Sequence, residues 1–173
     1  MNAQFPFTLP IIQAPMAGGI TTPELVAAVS NTGALGSLGA GYMTPEEIRN
    51  AIRKIRSLTR EPFNVNLFIP DGASLHPDTT EMKAILASIW HELTDAPFES
   101  NVISPFSFHE QVEVLLEEKV PIFSFTFGLP SSCIIEQFKK KGSLVFGTAT
   151  TPDEARDLEK IGVDAIVCQG QEA

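Results

Sequence analysis

The sequence predicts an α/β protein on a parallel sheet, and among parallel folds a TIM-type (β/α)8 barrel. Three observations carry that prediction. Short, nearly continuous apolar runs alternate with stretches of helical period, the pattern of strands buried on both faces and joined by crossover helices. A helix-start signal recurs at Thr22-Pro23-Glu24, Thr44-Pro45-Glu46 and Thr151-Pro152-Asp153. Each places a cap residue, a first-turn proline and an acid at the positive helix end. Finally, the turn after the first apolar run reads Ala14-Pro15-Met16-Ala17-Gly18-Gly19, without the GxGxxG of a doubly wound nucleotide fold. Right-handed crossovers then favour a closed barrel over an open sheet.

The elements follow in order. Ile11 to Ala14 reads as a first strand closed by Pro15, and Thr22 opens a helix that stops at Gly33. Ala34 to Leu38 is a second strand, with Gly39-Ala40-Gly41 as a tight turn. Ile48, Ile52 and Ile55 give the next helix its apolar stripe, ending at Leu58, and Phe63 to Phe68 is a third strand. Residues 70–105 form an irregular insertion holding one helix, about Thr79 to Leu93. A crossover helix from Ser107 to Glu118 leads to a fourth strand, Pro121 to Thr126, and a short helix, Ile134 to Lys140. Ser143 to Phe146 is a fifth strand, a helix starts at Thr151, and Val163 to Cys168 is a sixth. An eight-stranded barrel takes about 250 residues, ~200 at the low end. The 173 residues here supply six units, so residues 1–173 are expected to be the N-terminal part of a single barrel domain.

Composition narrows the function classes. The net charge of −9 and pI near 4.7 offer no basic face for nucleic acid or an anionic membrane. No apolar run approaches the ~18 residues of a membrane span. The start, Met1 to Pro6, lacks the basic and long apolar regions of a signal peptide. Cys133 and Cys168 stand in no CxxC or metal-ligand spacing, so a reduced, cytoplasmic chain is expected.

In a barrel the loops after the strands form the active face. Here the strand ends offer small or amide-bearing residues: Ala14-Pro15-Met16, Gly39-Ala40-Gly41, Asn66 within the third strand, Gly147-Thr148 and Gln169-Gly170. Small residues let a flat ligand approach the backbone, and amides donate and accept in fixed directions. Such a ring suits a heteroaromatic cofactor with a polar edge. His76 and His91 lie in the insertion and His109 early in a crossover helix, so none is expected to act as a catalytic base. Cys168 reads as packing beside the site, and Cys133 opens a helix without a chemical partner.

These words, taken together, resemble a family. Pro10 to Gly19, Leu35 to Tyr42, Pro62 to Phe68, Val120 to Gly128, Gly147 to Thr151 with Glu154-Ala155, and Gly162 to Gly170 are similar, in order, to nitronate monooxygenases, formerly called 2-nitropropane dioxygenases. The resemblance implies a barrel binding FMN non-covalently and oxidising alkyl nitronates with dioxygen to a carbonyl product and nitrite. By the same resemblance Ala14, Pro15 and Met16 line the flavin ring, Asn66 and Gln169 hydrogen-bond it, and Gly147, Thr148 and Gly170 lie beside it.

In the family a Gly-Gly-His-Arg-Gly run follows Gln-Gly-x-Glu-Ala. It carries the proposed base and approaches the FMN phosphate, and this chain ends at Glu172-Ala173. Impaired activity and weak flavin binding by this chain alone are therefore expected. Self-association or a complementing C-terminal fragment would close the barrel, since unclosed sheet edges invite pairing. Two other readings stand beside this one. The first is a related flavin barrel of enoyl reductase or NAD(P)H:quinone reductase type. The second is a non-catalytic fragment that self-associates through its open edges.

Overall fold

A computed structural model describes residues 5–70, 80–94, 96–98 and 107–171. The chain divides into two compact units, Met1–Pro70 with Phe106–Ala173, and Asp71–Pro105.

The larger unit runs α1 (Pro23–Asn31), β1 (Gly36–Gly39), α2 (Pro45–Leu58) and β2 (Phe63–Phe68), then continues after the smaller unit, which holds α3 (Thr80–Leu93). It resumes with α4 (Phe108–Glu117), β3 (Ile122–Thr126), α5 (Ser132–Lys140), β4 (Leu144–Ala149), α6 (Pro152–Ile161) and β5 (Ala165–Cys168). All strand pairs are parallel and the sheet order is β1-β2-β3-β4-β5. A doubly wound sheet reverses its strand order at a switch point. Here the order never reverses, and the helices supply one continuous core to one face of the sheet. That is an arc of a (β/α)8 barrel.

The core explains the arc. Leu38, Phe63, Val65, Leu67, Phe123, Phe125 and Val145 point outward and meet Val26, Ile48, Ile52, Ile55, Val112, Leu115, Ile135, Phe138 and Leu158 from the helices. The opposite, inner face carries a smaller apolar cluster of Leu35, Ile122 and Phe146, joined by Phe7. The ring of Phe5 meets Phe146 edge-on at 5.5 Å.

All three threonine-proline-acid starts are helix N-termini. Thr22 accepts a hydrogen bond from the Leu25 amide, and Thr44 and Thr151 form capping boxes with Glu47 and Glu154. Hydrogen bonds from Thr44 to Glu47, and from Thr150 and Thr151 to Glu154, hold both carboxyls below the usual glutamate range. On the outer surface, Glu118 of the α4 cap gathers Arg49, Arg53 and Arg56 of α2.

The structure corrects two sequence readings. The expected first strand, Ile11 to Ala14, is only a single parallel bridge between Ile12 and Leu35. Pro10 and Pro15 bracket the segment, and proline cannot donate to a ladder. A side chain continues the pairing instead. The Gln13 carboxamide donates from Nε2 to the Ser37 carbonyl (3.1 Å) and accepts at Oε1 from the Ser37 amide (3.0 Å). The fifth strand, in turn, runs to Ala149 rather than Phe146, so Gly147 and Thr148 lie within β4.

Candidate functional site

The site is built from what the inner face carries near the C-terminal ends of the strands. Gly39, Asn66, Ser124 and Phe146 share one register across β1 to β4. One inward position earlier lie Ser37, Asn64 and Ile122, and one later lie Phe68 and Thr126. Beside the apolar Ile122 and Phe146, the inner face is thus polar on β2 at both levels and on β3 from Ser124 onward.

Those groups form a directed chain. Asn64 Nδ2 donates to Ser124 Oγ at 2.8 Å, Ser124 Oγ donates to Asn66 Oδ1 at 2.8 Å, and Asn66 Nδ2 donates to Thr126 Oγ1 at 3.2 Å. Asn64 and Asn66 are each 2% exposed and Ser124 is 5% exposed. Asn64 Oδ1 and the Ser37 hydroxyl are buried without a hydrogen-bond partner among the described residues. Buried polar atoms are normally satisfied, so these two atoms are available to a further polar partner.

A second device fixes the segment that follows Gln13. Thr21 Oγ1 accepts from the Gly39 amide (2.8 Å) and donates to the Met16 carbonyl (2.9 Å). A Cβ on Gly39 would stand 2.5 Å from the Met16 carbonyl carbon and 2.6 Å from the Ala17 nitrogen. Glycine is therefore what lets the Met16-Ala17 backbone pass across the end of β1. Met16 itself is 42% exposed and is held there by its backbone.

The expected site residues are distributed as follows. Met16 is brought to Gly39, the register partner of Asn66; Ala14 is exposed and Pro15 half-buried. Thr148 is half-buried and pairs with Val167 two strands along from β2. Gln169 follows β5, its amide donating to the Ala149 carbonyl at 2.9 Å, and Gly170 is exposed. Gly147 faces the other way. Its missing Cβ would meet Leu158 at 2.4 Å and Phe125 at 3.0 Å, so helix packing accounts for this glycine, and only its backbone could meet a ligand.

Sequence reasoning missed Thr21, Ser124 and an aromatic rim. Tyr42 and Phe68 meet edge-on at 5.2 Å, and Phe68 and Phe127 lie 4.9 Å apart. Tyr42 and Phe127 are 67% and 70% exposed, and Phe127 holds a φ of 68°, a region costly for a bulky residue. His109 sits on the outer helix α4, 3.3 Å from Glu113, and His91 is exposed on α3 in the other unit; His76 lies outside the described residues. Cys133 and Cys168 are free and exposed. Among the described residues no cluster could hold a metal ion, and no helix is long and apolar enough to cross a membrane.

The geometry agrees with what the chain is similar to. The family model for nitronate monooxygenase matches residues 2–173. A probable nitronate monooxygenase of Bacillus subtilis (strain 168) is 41% identical over 178 residues, covering 98% of this chain and 49% of that protein. The crystal structure of a nitroalkane oxidase from Streptomyces ansochromogenes superposes with a TM-score of 0.87 at 39% identity, covering 97% of this chain and 48% of that one. FabK from Thermotoga maritima follows with a TM-score of 0.71 at 30% identity, over 96% and 42%. The chain spans about half the length of the curated relatives it matches. With its one-sided parallel arc and the match running from residue 2 to residue 173, the chain belongs to the nitronate monooxygenase family.

Proposed function

We propose that this chain carries the ring-binding arc of an FMN-dependent enzyme that oxidises alkyl nitronates with dioxygen to a carbonyl product and nitrite. The observation that carries the reading is the buried polar chain ending at Asn66 and Thr126, with the Met16 backbone tied across Gly39 beside it. The residues present fit such a cofactor. Asn66 offers a buried amide to the polar edge of a ring, Met16 and the flanking Ala14 and Pro15 offer a flat, backbone-tethered surface, and Thr148, Gln169 and Gly170 extend the same end of the sheet to β5. A bound flavin would accept electrons from the nitronate and pass them to dioxygen. The chain's own residues would hold the ring and exclude water from its inner side. By the family resemblance the base would come from a Gly-Gly-His-Arg-Gly run after Glu172-Ala173, and the phosphate cradle from the glycines of that run and the turns of later strands; both are part of the proposal for the whole enzyme.

The test is a titration of FMN with the purified chain, alone and mixed with the C-terminal half of the Bacillus subtilis relative. The chain alone should quench flavin fluorescence weakly but saturably. The mixture should hold flavin near stoichiometrically and take up oxygen when an alkyl nitronate is added. No quenching in either case would sink the flavin reading.

A further inference from the structure

We propose that Ser124 is a positioning residue that sets the Asn66 carboxamide with its NH2 edge toward the strand ends, so that the site presents a hydrogen-bond donor to a bound ring. The inference rests on the flavin reading for its ligand, and on the chain's own hydrogen bonds for its geometry.

A carboxamide can turn over with almost no change in shape, while its two ends do opposite chemistry. The neighbours decide which end faces the ligand. Ser124 has one hydroxyl proton. Because Asn64 Nδ2 donates to Ser124 Oγ at 2.8 Å, that proton is left for Asn66 Oδ1, also at 2.8 Å. With its oxygen engaged, Asn66 turns its nitrogen to Thr126 at 3.2 Å. Thr126 pairs with Phe68 whereas Ser124 pairs with Asn66, so the nitrogen lies on the strand-end side of the amide. One N–H goes to Thr126 and the other is left for a ligand.

Burial makes the direction hold. With Asn64, Asn66 and Ser124 at 2%, 2% and 5% exposure, bulk water cannot substitute for a lost partner, and hydrogen bonds in such a chain reinforce one another. The lower end is consistent with the same order. It leaves Asn64 Oδ1 as an acceptor, and the register partner of Asn64 is Ser37, whose hydroxyl can donate; both atoms are buried, and neither has a hydrogen-bond partner among the described residues, so nothing at this end opposes the order. The reverse order would put Asn66 nitrogen on Ser124 and offer the ligand an acceptor instead. One serine on β3 thus selects the polarity that an asparagine on β2 shows to the cofactor.

The orientation can be read without any cofactor. In the isotope-labelled chain, the side-chain amide protons of Asn66 should show stronger nuclear Overhauser contacts to the Thr126 side chain than to the β-protons of Ser124. In Ser124→Ala those contacts should weaken as the amide samples both orientations. FMN, added to the same two proteins, should bind the variant about five- to tenfold more weakly, the worth of one oriented hydrogen bond. Amide protons closer to the Ser124 β-protons than to Thr126 in the unaltered chain would overturn the proposal, as would a Ser124→Ala variant with unchanged contacts and affinity. If the unaltered chain shows the expected contacts but takes up no FMN, the flavin reading fails and the assigned orientation stands.

Discussion

Phe123→Ala is expected to cost about 3–5 kcal/mol of folding stability, the range for deleting a fully buried aromatic side chain. Phe123 is 0% exposed and is the second residue of β3. Its ring stacks on Phe138 of α5 at 4.2 Å and 18°, and sits 5.8 Å from Phe125. Truncation therefore removes apolar burial, an aromatic pair between sheet and helix, and leaves a cavity that the flanking parallel strands cannot easily collapse. Set against the 5–15 kcal/mol that domains typically have, this is a large share. Urea unfolding should show a lowered midpoint with an unchanged slope. Phe127→Ala is the natural control, since that ring is 70% exposed. A Phe123→Ala variant within about 1 kcal/mol of the unaltered chain would refute the sheet-to-helix core as described.

Gly39→Ala is expected to cost about 3 kcal/mol, the upper end of ordinary overpacking, and to abolish the FMN quenching proposed for the chain. The added Cβ would meet the Met16 carbonyl carbon at 2.5 Å and the Ala17 nitrogen at 2.6 Å. These are backbone atoms, so no rotamer change relieves the clash. The 14–17 segment must move away from β1, and the Thr21 hydroxyl then cannot serve both the Gly39 amide and the Met16 carbonyl. Each lost hydrogen bond at this buried threonine is worth about 1 kcal/mol. Unfolding and flavin titration on one sample check both halves of the claim. Full stability with intact quenching would show that the Met16 segment has no fixed place over β1.

How much of this was legible in the sequence depended on how local the cause was. The helix starts at Thr22, Thr44 and Thr151 could be read because cap, proline and acid act within one turn of chain. β2 and β3 were legible because continuous apolar runs need no knowledge of their neighbours. Asn66 stood out as an amide toward the end of such a run. Ser124 and Asn64 did not, because their meaning lies in partners 58 and 60 residues away. Glycine misled twice for one reason. Gly39 and Gly147 read as turn residues, yet both sit inside strands and make room for Met16 and Leu158 respectively. Turn glycine and packing glycine look alike until the direction of the absent Cβ is known. The segment at Ile12 has a strand's composition, but its pairing is completed by the side chain of Gln13, which no periodicity records.

The unbroken strand order has a consequence for how the chain assembles. Each strand docks on the one made just before it, so units can accrete in the order of synthesis. Contacts joining neighbouring units elsewhere close over spans of 19 to 28 residues, such as Val145 to Asp164 and Asn31 to Thr59. The junction of β2 with β3 is different, since Asn64 and Ser124 are 60 residues apart. Loop-closure entropy alone makes that step dearer by about 0.8 kcal/mol, and non-local pairing slows folding. Pulsed hydrogen exchange during refolding should then protect β1 and the β3–β5 ladders before the amides between β2 and β3; simultaneous protection would contradict this order. By that order the last seam to close is the one crossed by Asn64, Ser124, Asn66 and Thr126, so the polarity of the site is set in the same event that joins β1–β2 to β3–β5.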